Sequence, residues 1–393
     1  PAWVPLAGTG PDGRWTKDDT RLVSDVRTAL RSLPGAGSAD LRPRVVRLRR
    51  QRIEPLAQAL AATADGLPPA RRLIVLPSRA MAGIPVEALL ASADTRTVSY
   101  APSATVFKYL REQPRPDRHA GLLALGDPVF ARPEESSEKF APLPGTRREV
   151  DVIAQLFKSD DLPTCALVAA DASEPELYRL AASGELGRFG FIHLATHGVI
   201  DEAISQRSAV ILTQIGLPDP LEQVLNHKPV FDGRLSVREI QRSWDLKAEL
   251  VTLSACETAL GRDAGGEGFV GFTQALLMSG ARSVCLSLWT VDDKATSLLM
   301  TRFYQNLLGK RSGLPKGTPK AEALFEAKQW LRSLTVDQIE RERAVLERGD
   351  VRPLAQVNNT APGKASSSPN PSGIRPYDHP YFWAAFVLVG DPD

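Results

Sequence analysis

Apolar residues along this chain gather into short, nearly continuous runs: RLIVLP (72–77), GLLALG (121–126), FIHLAT (191–196), SAVILT (208–213), ELVTLSA (249–255), SVCLSLW (283–289) and WAAFVLV (383–389). A run that is apolar on both faces suits a strand buried between two layers of helices. Between the runs the period lengthens to that of a helix. In TRREVDVIAQLF, Val150, Ile153, Ala154 and Phe157 share one stripe, and Thr146 and Glu149 have capping-box spacing. Ser173 and Glu176 repeat that spacing ahead of LYRLAA. Further stripes pass through Phe269, Phe272 and Leu276, through Ala295, Leu298, Leu299 and Phe303, and through Ala321, Leu324 and Phe325. Strand and helix alternate, which predicts an α/β fold: a three-layer αβα sandwich around a mostly parallel sheet.

Some segments depart from this rhythm. Residues 336–357 read as a charged, solvent-facing helix and 358–376 as a low-complexity loop, together an insertion over 336–376. Residues 217–234 read as a long connection, and residues 1–52 as an entry segment ahead of a main domain spanning 53–393. Six arginines crowd positions 42–52, as on a nucleic-acid or acidic-partner patch. No aromatics interleave them, and the chain is nearly neutral, with 48 basic and 46 acidic side chains, so a solvated helix face is the expectation and no nucleic-acid partner is.

Three cysteines without CxxC spacing make neither a disulfide framework nor a zinc ribbon and point to a reducing cytoplasm. The longest apolar candidate, YFWAAFVLVG, is about half of the roughly 20 residues a bilayer span needs, so no membrane association is expected. The chain opens at Pro1 with no signal-like pattern and reads as a piece of something longer.

Reactive groups in open α/β sheets collect beyond the carboxyl ends of strands. His197 follows FIHLAT and precedes Gly198; Cys256 follows ELVTLSA. Taken alone, Cys256 is as well read as a small buried packing thiol, the reading given to Cys285 and Cys165. As a nucleophile it needs a proton acceptor, and imidazole is the usual one. Cys256 lies 59 positions after His197, near the interval of about 50 found in caspases. Gly198, lacking a Cβ, can bring its N–H close to a carbonyl oxygen, and with the N–H of Cys256 it would form a two-donor oxyanion hole.

Two rival readings arise. His193 and His197 invite a metal site, but their spacing suits a helix and this run is strand-like, so His193 is expected to be a hydrogen-bonded imidazole supporting the site, with no metal. GEGFVG (266–271) fits the dinucleotide fingerprint, yet ten residues separate it from the strand, whereas the first glycine should turn directly off it. No cofactor is expected.

FIHLATHG, then LVTLSACETALGRDAGGEGFVGFTQALLMSGARSVCLSLWTVDDKATSLLMTRFYQNLLG, and finally HPYFWAAFVLVGD resemble the CHAT family: caspase-like, separase-related cysteine peptidases, often attached to TPR repeats in bacteria. RRLIVLPSRAMAGIPVEALL and VSYAPSATVFKYL resemble the first part of the same domain, so the likeness spans about residues 53–390.

The resemblance implies a caspase-like fold with His197 as general acid/base, Cys256 as nucleophile, and Gly198 with Cys256 as oxyanion-hole donors. It implies a protein substrate, such as a gasdermin-like effector in bacterial defence or cell death, and control by a TPR or other regulatory domain. It also puts the segment after SVCLSLW at the pocket for the residue before the cleaved bond. Trp289, Asp292 and Asp293 become candidate lining residues, with Asp263 from the loop after the cysteine. Acids there would select Arg or Lys. Asp292 and Asp293 serve equally as cap and first-turn residues of a helix, and Ser254 stands where some basic-selective relatives carry an Asp. A caspase-like interaction module with little turnover is the alternative to an endopeptidase.

Overall fold

The computed structural model describes residues 3–35, 41–61, 66–115, 120–131, 140–201, 203–255, 271–290, 292–311, 314, 317–347 and 373–393. Its strands are β1 (Arg72–Val75), β2 (Thr97–Tyr100), β3 (Gly121–Pro128), β4 (Thr164–Ala169), β5 (Phe189–Ala195), β6 (Gly198–Val199), β7 (Ala209–Ile211), β8 (Arg234–Ser236), β9 (Leu250–Ser254), β10 (Ser283–Ser287) and β11 (Phe386–Gly390). Its helices are α1 (Lys17–Leu30), α2 (Leu41–Arg52), α3 (Ala57–Leu60), α4 (Ala104–Glu112), α5 (Pro144–Lys158), α6 (Glu174–Ala182), α7 (Pro220–Leu225), α8 (Val237–Ser243), α9 (Phe272–Met278), α10 (Asp293–Leu307), α11 (Lys320–Ser333), α12 (Val336–Glu347) and α13 (Pro380–Trp383).

Eight strands form the main sheet in the order β1-β2-β11-β10-β9-β5-β3-β4. Every neighbouring pair is parallel except β10 with β11, so the sheet is two parallel blocks joined at one antiparallel seam. Helix α10 packs on both α5 and α11, while α6 and α9 each pack on α8. This is the predicted three-layer α/β sandwich. Strands β3, β5, β9, β10 and β11 lie in its middle: Leu122–Leu125, Ile192, Leu194, Val251, Leu253, Cys285, Leu286 and Leu388 are all fully buried, as runs apolar on both faces require. No helix among the described residues is long and apolar enough to cross a membrane.

Four details differ from the sequence reading. SAVILT is a strand, β7, but it pairs with β6 and β8 in a separate three-stranded antiparallel sheet. Thr146 and Glu149 do not form a capping box, because α5 begins two residues earlier, at Pro144. Thr146 Oγ1 instead donates to Leu143 O (2.7 Å) and accepts from Asp127 N–H (2.8 Å). Ser173 is the N-cap residue of α6 but makes no side-chain cap bond, and the Glu176 side chain pairs with Arg179 instead of reaching back to the cap. Helix α12 is not wholly solvent-facing: Ile339, Glu342 and Leu346 are buried, and it packs on α5. The rest of the 336–376 segment lies almost entirely outside the described residues.

The arginines of α2 behave as a mixed helix face. Arg42, Arg47 and Arg50 are exposed, Arg52 stacks over the Trp15 ring at 4.2 Å, and Leu48 carries the helix into the core.

Candidate active site

Strands β5 and β9 are adjacent and parallel, with Leu194 beside Leu253 and Ala195 beside Ser254. Past that last pair the two chains leave the sheet together. Thr196 N–H still reaches Ser254 O (3.3 Å), and His197 comes next. Cys256 stands two residues beyond Ser254 in the sequence, as His197 stands two beyond Ala195; Cys256 itself lies outside the described residues.

His197 is anchored on both sides of its Cα. Thr196 Oγ1 donates to Ile211 O, Ile211 N–H donates to His197 O (2.9 Å), and Gly198 then pairs with Val210 in β6 and β7. The small antiparallel sheet thus serves as a brace for the histidine. Antiparallel ladders alternate the direction of successive residues, and since His197 O faces β7, the N–H of Gly198 is turned away from it.

The imidazole is half-buried between two rings, Phe130 at 5.1 Å and Phe140 at 5.5 Å between centroids. Its Nε2 lies 2.7 Å from Ala141 O. A carbonyl can only accept, so Nε2 carries the proton, and Nδ1 is the basic nitrogen of the neutral ring. Strand β5 ends at Ala195, so His193, which points into the core, and His197, which leaves it, are not on a shared extended face.

His193 is fully buried. Its Nε2 meets Glu149 Oε1 at 2.8 Å, its Nδ1 lies 3.3 Å from Tyr304 Oη, and Tyr304 Oη in turn lies 3.0 Å from Thr252 Oγ1. Burial pushes the Tyr304 phenol above its ordinary range. This chain of polar groups ties α5, β5, β9 and α10 together beneath the site. Among the described residues no group of three His, Cys, Asp or Glu side chains could hold a metal ion.

The carboxyl ends of the central strands surround a small recess of about 30 Å³, lined by Glu149, Thr196, Ser254, Ala255, Asp293 and Thr296 among others. Thr196 directly precedes His197, and Ala255 directly precedes Cys256. Asp292 caps α10, accepting Ala295 N–H at 3.0 Å, and does not line the recess. Asp293, one residue on, is exposed at the rim. Partial burial, with Asp292 and Glu149 nearby, raises the Asp293 carboxyl above its usual range, opposed by His197. Gly145 lets α5 approach this aspartate: a Cβ there would stand 3.3 Å from that of Asp293.

Trp289 is absent from the lining. It is 1% exposed and donates its indole N–H to Tyr381 O at 2.9 Å, as a core residue does. Asp263 lies outside the described residues, as does GEGFVG up to Phe269 and Val270. Gly271 is the N-cap residue of α9 at φ +93°.

No residue pattern pointed to Phe130, Phe140, Ala141 or Glu149 at this site. Ala141 acts through its backbone, which no side-chain pattern reports. Glu149 lay in plain view, but its spacing from Thr146 suggested a cap. The other two cysteines are poor nucleophiles: burial pushes the Cys285 thiol up to about 12 and also raises that of Cys165.

A family model described as "CHAT domain" matches residues 43–391. No curated protein matches the chain in sequence. Among solved structures it is similar to the Arg-specific cysteine proteinase gingipain R of Porphyromonas gingivalis, with 8% identity and a TM-score of 0.48 over 96% of this chain and 75% of that one. It is also similar to the Saccharomyces cerevisiae separase–securin complex (14%, TM-score 0.46, 91% of this chain but only 18% of that one). With the Drosophila initiator caspase Dronc it shares 11% identity at a TM-score of 0.28, over 55% of this chain and 74% of that one.

Proposed function

The chain belongs to the CHAT domain family, and on that footing we propose that it is a cysteine endopeptidase using Cys256 and His197. The observation that carries this reading is the register of β5 and β9. It brings the residues immediately before His197 and before Cys256 to the wall of one recess.

In the proposed reaction, His197 Nδ1 takes the proton of the Cys256 thiol, and the sulfur attacks the scissile carbonyl carbon. The N–H groups of Gly198 and Cys256 meet the oxygen as it becomes negative. Collapse of the tetrahedral adduct expels the amine, which receives the proton from His197, and leaves a thioester. Water, deprotonated by the same nitrogen, then hydrolyses that thioester. The bond from Nε2 to Ala141 O supports this assignment, because it holds the ring in one tautomer and orientation much as a carboxylate does in a triad. The reading extends to a cytoplasmic setting, a protein substrate such as a gasdermin-like effector in bacterial defence or cell death, and control by an attached TPR or other domain; the family resemblance alone supports these.

Cys256→Ala is expected to abolish cleavage of a co-expressed protein substrate, by at least about 10³-fold, with unchanged thermal stability. Persistent cleavage in that variant would end the peptidase reading. Iodoacetamide near pH 7 should modify Cys256 well before Cys285 or Cys165, read by peptide mass mapping.

A further inference from the structure

Strand β9 hands its carbonyls alternately to its two neighbours as it runs out toward Cys256. Ser254 O faces β5, where it accepts Thr196 N–H at 3.3 Å. Ala255 O, one residue on, faces the other neighbour, β10. The register of β9 with β10 ends at Leu253 beside Leu286. Just past that pair a side chain takes over from the ladder: Ser287 Oγ donates to Ala255 O at 2.5 Å.

Ser287 has little freedom of its own. It is buried, it pairs with Phe386 of β11, and the adjoining Leu288 N–H donates to Ala385 O at 2.9 Å. A hydroxyl buried in the apolar run SVCLSLW needs a partner. The partner it takes is one half of the peptide unit that joins Ala255 to Cys256. A trans peptide is planar, with its C=O and N–H on opposite edges. Holding the carbonyl toward β10 therefore turns the N–H that follows toward β5, the strand from which His197 emerges.

We propose that Ser287 is a positioning residue for the reaction: its hydrogen bond to Ala255 O aims the Cys256 N–H at the oxygen of the attacked carbonyl. Ser287 touches no reacting atom and acts only through the Ala255 carbonyl. A donor already aimed at developing charge needs no rearrangement when the charge appears, and a donor free to turn loses that advantage. The assignment rests on the peptidase reading and adds to it a side chain from a third strand, β10.

Two small reagents separate orientation from reactivity. p-Nitrophenyl acetate acylates Cys256 through a tetrahedral adduct: the S–C bond forms, the carbonyl oxygen becomes negative, and p-nitrophenolate leaves while the thiol proton passes to His197. Iodoacetamide alkylates the same sulfur by displacing iodide and forms no oxyanion. Both rates are measured on the full chain, with the rate of Cys256→Ala subtracted. Ser287→Ala and Ser287→Val are expected to slow acylation at least about tenfold and alkylation less than about twofold. Ser287→Thr should keep acylation within about threefold of the parent, since Thr matches Val in shape and retains the hydroxyl. Both add the same methyl beside the recess that Ser287 lines, so any strain is common to the pair. Equal acylation of the Thr and Val variants, or acylation and alkylation falling together, overturns the assignment and leaves the peptidase reading standing. A parental Cys256 that reacts with neither reagent faster than Cys165 ends the peptidase reading, and the role of Ser287 with it.

Discussion

The two ends of the central strands handle charge in opposite ways. At the amino ends of β9 and β10 lie Glu249 and Arg282, and the antiparallel β11 delivers Asp391 to the same place. Asp391 is fully buried, bonded to Arg282 and to Arg111 (3.0 Å). Lys320 holds Glu249 and the carbonyl of Asp393 (2.5 Å), and Asp393 extends the cluster to Arg72 and Arg111. Even the looser contact, Arg282 Nε to Glu249 Oε2 at 3.7 Å, joins opposite charges. At the carboxyl ends Asp293 meets no cation among the described residues. One end is internally neutralised, and its charges hold the fold. The other leaves Asp293 at an exposed rim, where solvent meets its charge.

Substitutions at the two ends should therefore differ most in stability. Asp391→Ala leaves Arg282 buried beside a cavity and is expected to cost about 3–5 kcal/mol, read from urea midpoints; a cost below about 1 kcal/mol would mean that the cluster is not a structural clamp.

Next in size is Glu174 on α6, which accepts the N–H groups of Asp232 and Gly233 (3.0 Å each) just ahead of β8. Burial, then Glu239 and Asp232, raise its carboxyl to about 7. A carboxyl raised on folding binds its proton more tightly in the native state. Its contribution to stability is therefore complete below about pH 4.5 and disappears as pH rises through 7. Glu174→Gln should flatten the pH dependence in that window and be the more stable protein at pH 8, by up to about 3 kcal/mol. A parental profile left unchanged by the substitution would contradict this.

Glu149→Ala, beneath the recess, strands the imidazole of His193 and should cost about 1–3 kcal/mol. At the exposed rim, Asp293→Asn should stay within about 0.5 kcal/mol of the parent in the same urea titration. A loss at Asp293 as large as that at Asp391 would erase the contrast between the two ends.

Much of this architecture is legible in the sequence because buried strands announce themselves: RLIVLP, GLLALG, FIHLAT, ELVTLSA, SVCLSLW and WAAFVLV all supply strands of the main sheet. β4 escapes notice because it is an edge strand whose residues, Leu167 apart, are only partly buried or exposed, which removes the continuous apolar run. SAVILT looks like its peers because β7 is buried on both faces too, and periodicity does not say which sheet a strand joins. The site divides along similar lines. Histidine and cysteine at strand ends are visible as residue types, whereas the bond between Glu149 and His193 joins residues 44 apart through the packing of α5 on the sheet. Likewise, a single residue step separates Asp292, which caps, from Asp293, which faces the recess, and only the helix start tells them apart.

The seam between β10 and β11 has a consequence for biosynthesis. The block of β1 and β2 precedes the other main-sheet strands in the chain and, among the described residues, hydrogen-bonds to them only through β11 (Phe386–Gly390), which follows them all. Until that strand slides between β2 and β10, each block presents a raw edge able to pair with any extended neighbour. A chain stalled shortly before Phe386 would thus present two adhesive sheet fragments in place of one joined sheet.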